Sequence, residues 1–345
     1  MLTPDTPLAI FMEDTFGKPF GKMGYGVLRF SANPVVCIVD STQAGKRAGE
    51  VMPATPRPDC PIVASVADAA ALGAKALLLG SAPSGGRLPD AWLPALDQAI
   101  ALGLCIINGL HQRLNDRYHS LAPGQWIWDI RQEPANIGVG KGRARELTNK
   151  RLLIVGSDMA NGKMTSGLLI AEAARRHGVK TEFLATGQIG IVISGRGVPL
   201  DAIKLDYACG AIEQGVMELA DADLIVVEGQ GSILHPGSTA TLPLLRGSCP
   251  THLILNHRAD MLTLRDFPWL KIPPLKELAA LYEAIASACG TLVPAKVGGI
   301  TLNTSLLNEE QAKDAIARTE DETQLPTTDC VRYGAEKLIP PLALC

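Results

Sequence analysis

The chain has 345 residues, 47% of them hydrophobic and 19% charged, with a formal net charge of −3. The length predicts about two domains. With no basic excess there is no electrostatic case for a nucleic-acid partner. The most apolar stretch, Ala99 to Leu110, is shorter than the roughly 20 residues a bilayer crossing needs. The opening MLTPDTPLAIFMED lacks a basic n-region, so neither a membrane segment nor a signal peptide is expected. Cysteines stand at 37, 60, 105, 209, 249, 289, 330 and 345 with no CxxC, a pattern of free thiols in a reducing cytoplasm.

In chain order, short apolar runs come first: Leu8–Met12, Val27–Phe30, Val35–Asp40, Pro61–Val66, Ala76–Gly80 and Leu104–Asn108. They lack polar alternation, as strands buried on both faces of a parallel sheet do. Asp68–Leu72 and Ala91–Leu102 read as covering helices. The stretch 136–150 is rich in glycine and polar residues and carries Lys141, Arg143, Arg145 and Lys150; it reads as a solvated inter-domain connection. Beyond it, strands are expected at Leu152–Val155, Thr181–Ala185, Leu224–Glu228, His252–Asn256 and Val297–Asn303. Helices are expected at Met164–His177, Asp206–Ala220 and Leu275–Ala288. The alternation predicts an α/β protein with a Rossmann-like domain over 1–135, a linker over 136–150 and a doubly wound parallel sheet over 151–345.

The strongest chemical pattern is RLLIVGSDMANGKMTSG. An apolar strand runs into Gly156. Five residues later come Gly162, Lys163, Met164 and Thr165, opening a helix. Glycines let successive N–H groups turn inward as an anion nest, and the helix start adds its positive dipole end. The phosphate-binding set is Gly156, Ser157, Asp158, Asn161, Gly162, Lys163, Met164 and Thr165. The glycine spacing is one residue longer than the common P-loop, and Met164 replaces the usual magnesium-binding hydroxyl. The longer GxDxxxGK form is similar to the dethiobiotin-synthetase-like branch of P-loop proteins. Asp158 reads either as a cap of the loop or as a group acting on magnesium or substrate.

Other strand-to-loop turns add candidates at the sheet edge where ligands of such sheets collect. Glu228 ends a strand before Gly229-Gln230-Gly231 and is placed as a catalytic group or, with Thr165, as a magnesium ligand if ATP is bound. His235 on the loop that leaves it, and Asp206 at a helix start, are candidate acid/base groups; for Asp206 an N-cap is the plainer reading. Gln188, Arg258 and Arg131 are candidate substrate contacts, the arginines through their fork-shaped grip on carboxylates. The plain alternative for Asp129 and Arg131 is an ion pair.

Taken together, GKMGYGVLRF, VVCIVDSTQAGKRAGEV, GSAPSGGRLPDAW, INGLHQRLND, WDIRQEP, GSDMANGKMTSG, ATGQIGI and VEGQGSILHP resemble a bacterial family described as a domain of unknown function and associated with D-glutamate N-acetyltransferase. The likeness spans nearly the whole chain. It implies a Rossmann-like N-terminal domain, a P-loop C-terminal domain, acetyl-CoA as donor and D-glutamate as acceptor. Carried over, its P-loop residues are Gly156, Asp158, Gly162, Lys163 and Thr165, and its second loop runs from Glu228 to His235. The sequence leaves three activities open: acetyl transfer, an ATP- and magnesium-dependent ligase or kinase of the dethiobiotin-synthetase type, and a nucleotide-binding module without turnover. The expected partners are a small-molecule substrate and further copies of the chain, with no nucleic acid and no membrane.

Overall fold

Apolar runs too short for long helices and too uniform for half-exposed strands build two parallel sheets. The computed structural model describes residues 2–83 and 86–340. Ser84 and Gly85 of the glycine-rich stretch 80–89, and Cys345, fall outside the described residues. Contacts divide the chain into two units: 1–133 with 188–202, and 134–187 with 203–345.

The first unit holds β1 (Leu8–Phe11), α1 (Lys22–Phe30), β2 (Val35–Val39), α2 (Ala48–Val51), β3 (Ile62–Val63), α3 (Val66–Ala71), β4 (Ala76–Leu79), α4 (Leu93–Ala101), β5 (Cys105–Asn108) and β6 (Ile127–Asp129). The sheet order is β3-β2-β1-β4-β5-β6, and every pairing is parallel. Leu8, Ala9 and Ile10 are fully buried, as a central strand covered on both faces requires. The strand expected at Val27–Phe30 is the end of α1. Met23, Val27 and Leu28 are buried on one side of that helix, a helical rather than an alternating spacing. Asp129 and Arg131 do not pair. Asp129 accepts from Asn108 Nδ2 (2.7 Å), the Leu114 amide (2.9 Å) and Asn115.

The second unit holds β7 (Lys150–Gly156), α5 (Lys163–Arg176), β8 (Thr181–Leu184), α7 (Leu205–Met217), β9 (Leu224–Val227), α8 (Thr241–Ser248), β10 (His252–Arg258), the hairpin β11–β12 (Thr263–Leu264, Phe267–Lys271), α9 (Leu275–Ser287), β13 (Lys296–Asn303), α10 (Glu309–Thr323), β14 (Thr327–Thr328) and α11 (Cys330–Tyr333). Its sheet runs β14-β13-β10-β7-β9-β8, again all parallel. β7 is the switch point: the chain fills one side of it with β8 and β9, then crosses to β10.

The structure adds two features to the sequence expectation. The stretch 136–150 keeps Lys141, Arg143 and Arg145 exposed, and it is also docked on α7. The buried carboxylate of Glu213 accepts from the Lys141 amide (3.0 Å), the Arg143 amide (2.8 Å) and Arg143 Nε (2.7 Å). These three donors, with the Arg143 charge, hold the Glu213 pKa below its usual range against the opposing effect of burial. Gly210 admits the segment because a Cβ there would overlap the Gly138 carbonyl. The other feature is α6 (Gln188–Ser194), which lies within the expected P-loop domain yet belongs to the first unit and packs on α1. Five cysteines, at 37, 60, 105, 249 and 330, are buried free thiols. Among the described residues no helix is long and apolar enough to cross a membrane.

Candidate functional site

Gly156 ends β7 opposite Asn256 of β10, and the chain turns through Ser157–Gly162 into α5. Gly162 has φ of 108°, a left-handed backbone that glycine adopts without strain. Among the described residues no protein acceptor takes the amides of Ala160, Asn161, Gly162, Lys163, Met164 or Thr165. The open helix start explains the last of these, and the left-handed turn extends the row backwards. The result is a concave set of donors at the positive end of a 14-residue helix, the ready-made seat for a phosphate.

Lys163 is buried beneath this row. Its ammonium donates to the carbonyls of Asp158 (2.7 Å) and Met159 (2.8 Å) and to Asn161 Oδ1 (3.1 Å). Burial pulls its pKa down to about 7, against the pull of Asp158 and Glu228. Polar side chains fix the loop from below. Ser157 Oγ meets His257 Nδ1 at 2.7 Å, and Asn161 Nδ2 donates to the Asn256 carbonyl at 2.8 Å. Asn256 Nδ2 donates to Ser166 Oγ and Thr301 Oγ1. Tyr282 donates its hydroxyl to the Gly156 carbonyl at 2.7 Å and accepts from the Ile233 amide. Both Asp158 oxygens are engaged, by the Met159 amide (2.7 Å) and the Arg265 amide (2.9 Å). Asp158 thus ties the loop to the β11–β12 hairpin, the capping side of its two readings.

Glu228 stands just past β9. Its carboxylate accepts from the amides of Thr186 (2.9 Å) and Gly187 (3.1 Å) and from Gln230 Nε2 (3.2 Å). Burial raises its pKa to about 7, opposed by those donors and by Lys163. Gly229 lets this turn press on the P-loop strand: a Cβ there would overlap the Ile154 carbonyl. The ATG of residues 185–187 and the EGQ of 228–230 are therefore two halves of one wall.

The remaining sequence candidates fall as follows. His235 is nearly buried; its Nδ1 accepts from the Gly237 amide at 3.1 Å, and its ring meets Phe267 edge-on. Asp206 is exposed in the first turn of α7, whose N-cap is Lys204, so Asp206 is not the cap. Thr165 is half-buried beside the open amides. Arg258 ends β10 with its Nε buried and unpartnered. Gln188 and Arg131 both belong to the first unit. Arg131 lies 2.6 Å from His111 Nε2 and 3.2 Å from Asp201 through Nε; the latter is a charge contact without hydrogen-bond alignment. Among the described residues no cluster of three histidine, cysteine or acidic side chains is placed to hold a metal. Sequence reasoning missed Tyr282, Arg265 and Thr301, which act on the loop or its neighbouring strand from far along the chain and carry no local pattern.

An open amide row on a glycine turn, a buried lysine and a sheet-edge glutamate define a two-domain α/β protein of the P-loop class. Residues 138–339 match the P-loop domain, and 41–133 the Rossmann-like domain, of a family described as a domain of unknown function, DUF1611. The chain belongs to that family. It is 31% identical over 344 residues to a protein of Tritonibacter scottomollicae named D-glutamate N-acetyltransferase, covering 98% of this chain and 99% of the other. A protein of the same name from a Pseudoalteromonas species is 35% identical, with 81% and 84% covered. The crystal structure of a DUF1611 family protein from Anabaena variabilis is 45% identical and superposes with a TM-score of 0.94, covering 99% of this chain and 100% of that one.

Proposed function

We propose that the chain is an N-acetyltransferase that moves acetyl from acetyl-CoA to the amino group of D-glutamate or a similar amino acid, with the CoA diphosphate held by the P-loop. The observation that carries this reading is the open amide row from Ala160 to Thr165 above a buried ammonium. It fits a diphosphate, and relatives covering 98% and 81% of the chain bear that activity in their names. The Ser or Thr that usually follows the P-loop lysine is not needed when no phosphoryl group is cleaved, which suits Met164. Thr165 and Glu228 would hold magnesium if ATP were the ligand instead.

In this reaction the amine nitrogen adds to the thioester carbonyl carbon. The ammonium first gives one proton to a base, which passes it to solvent; the C–N bond then forms, the C–S bond breaks, and CoA leaves as a thiolate that takes up the second proton lost by the nitrogen. Glu228 is the base that suits neutral pH, because its pKa sits near 7. The unpartnered Nε of Arg258 suits a substrate carboxylate. His235 is the alternative base, and the exposed Asp206 serves this role less well.

The test supplies acetyl-CoA and D-glutamate and follows free thiol. Release should require both, and Glu228→Gln should lower kcat about 100-fold or more, the usual share of a general base, with CoA affinity retained. No thiol release with D-glutamate, L-glutamate or D-aspartate, or magnesium-dependent ADP formation from ATP, would overturn the proposal.

A further inference from the structure

A cavity of about 640 Å³ opens at the ends of β10 and β13, between the start of α9, the hairpin and one face of α10. Its volume is that of a small-molecule site. His257 is part of its wall and is also the residue bonded to Ser157 of the P-loop. β10 is the immediate neighbour of the P-loop strand and β13 the next, so the cavity lies within about 10 Å of that strand at ordinary strand spacing.

The wall chemistry is specific. Met261, Ile272 and Leu302 supply apolar surface, Asp260 and Glu322 carboxylates, the latter already accepting from the Leu275 amide, and Arg318 a permanent cation. Ser157 Oγ meets His257 Nδ1, so the imidazole links the P-loop to the cavity wall. A cavity with apolar walls, carboxylate acceptors and a cation matches a phosphorylated purine nucleoside. A short dicarboxylate has no use for the apolar walls, and pantetheine has no anion for Arg318.

We propose that this cavity takes the adenosine end of CoA, the purine lying among Met261, Ile272 and Leu302, its exocyclic amine facing Asp260 and its 3′-phosphate meeting Arg318. This rests on the reading that the P-loop holds the CoA diphosphate. Calorimetry with CoA, dephospho-CoA, adenosine 3′-phosphate 5′-diphosphate, pantetheine and inorganic pyrophosphate tests it. Arg318→Ala should weaken CoA at least fivefold and leave dephospho-CoA within twofold. Ala315→Trp, which fills the cavity from α10, should weaken CoA and dephospho-CoA at least tenfold. Pyrophosphate affinity should stay within twofold in both variants, which also reports an intact fold. Unchanged CoA affinity in both variants overturns the proposal, as does loss of pantetheine rather than of the adenosine nucleotide in Ala315→Trp. A Lys163→Ala protein that binds pyrophosphate and CoA as before removes the P-loop reading and this proposal with it.

Discussion

The two parallel sheets have the same strand count, yet their switch-point loops end differently. In the first unit the loop after β1 is closed by a side chain from the end of β2. The buried Asp40 accepts from the amides of Asp14 (3.3 Å), Phe16 (3.1 Å) and Thr42 (3.0 Å), and Met12 donates to Val39. A protein carboxylate occupies the place of an external anion. In the second unit the corresponding loop keeps its amides open and holds a lysine beneath them. The comparison teaches that a doubly wound sheet offers an anion site only where the chain does not supply the anion itself.

Four experiments break or sharpen that contrast. The largest effect is expected from Gly229→Ala, whose new Cβ would overlap a backbone carbonyl of the P-loop strand. Backbone cannot yield as a side chain can, so a loss of about 3 kcal/mol should appear in denaturant unfolding. Next, Lys163→Ala should weaken CoA or pyrophosphate binding about 10- to 100-fold, the range of a charge-assisted contact, read by calorimetry. Asp40→Asn in the closed loop should cost about 1–2 kcal/mol in stability by setting an NH2 against backbone donors, while CoA affinity stays unchanged. If affinity falls too, the loops are not independent.

The smallest effect is the pH dependence of diphosphate affinity. Lys163 in the free protein loses its proton near pH 7, and a bound anion favours the protonated form. Affinity should therefore fall as pH rises through 7, by at most about tenfold per unit, with proton uptake on binding. Glu228, neutral below about 7, pushes in the same direction. Affinity that rises from pH 6 to 8 would contradict the buried-lysine geometry.

Much of this was legible in the amino-acid order. Runs such as VVCIV and LLIV read as buried strands because parallel sheets leave no polar alternation. The P-loop was legible because its glycines and lysine act over a few residues. Less legible was QIGIVIS, residues 188–194, rich in β-branched residues and assigned no element from the sequence, which is helical because tertiary packing on α1 overrides a weak propensity. The half-exposed IWD of β6 was too short to register. Tyr282 reaches Gly156 across 126 positions, and no window along a sequence contains both. Nothing local on α7 announced that Glu213 would anchor a segment some 70 residues earlier.

The excursion of residues 188–202 into the first unit has a consequence for biosynthesis. On the ribosome, the first 133 residues emerge without the helix that covers α1. Vectorial folding of the leading half thus stalls one element short, until the P-loop, its helix and β8 have also been made. A polypeptide truncated after Glu133 would leave α1 bare of its cover, so in the cell the first unit is finished only with material made after the P-loop.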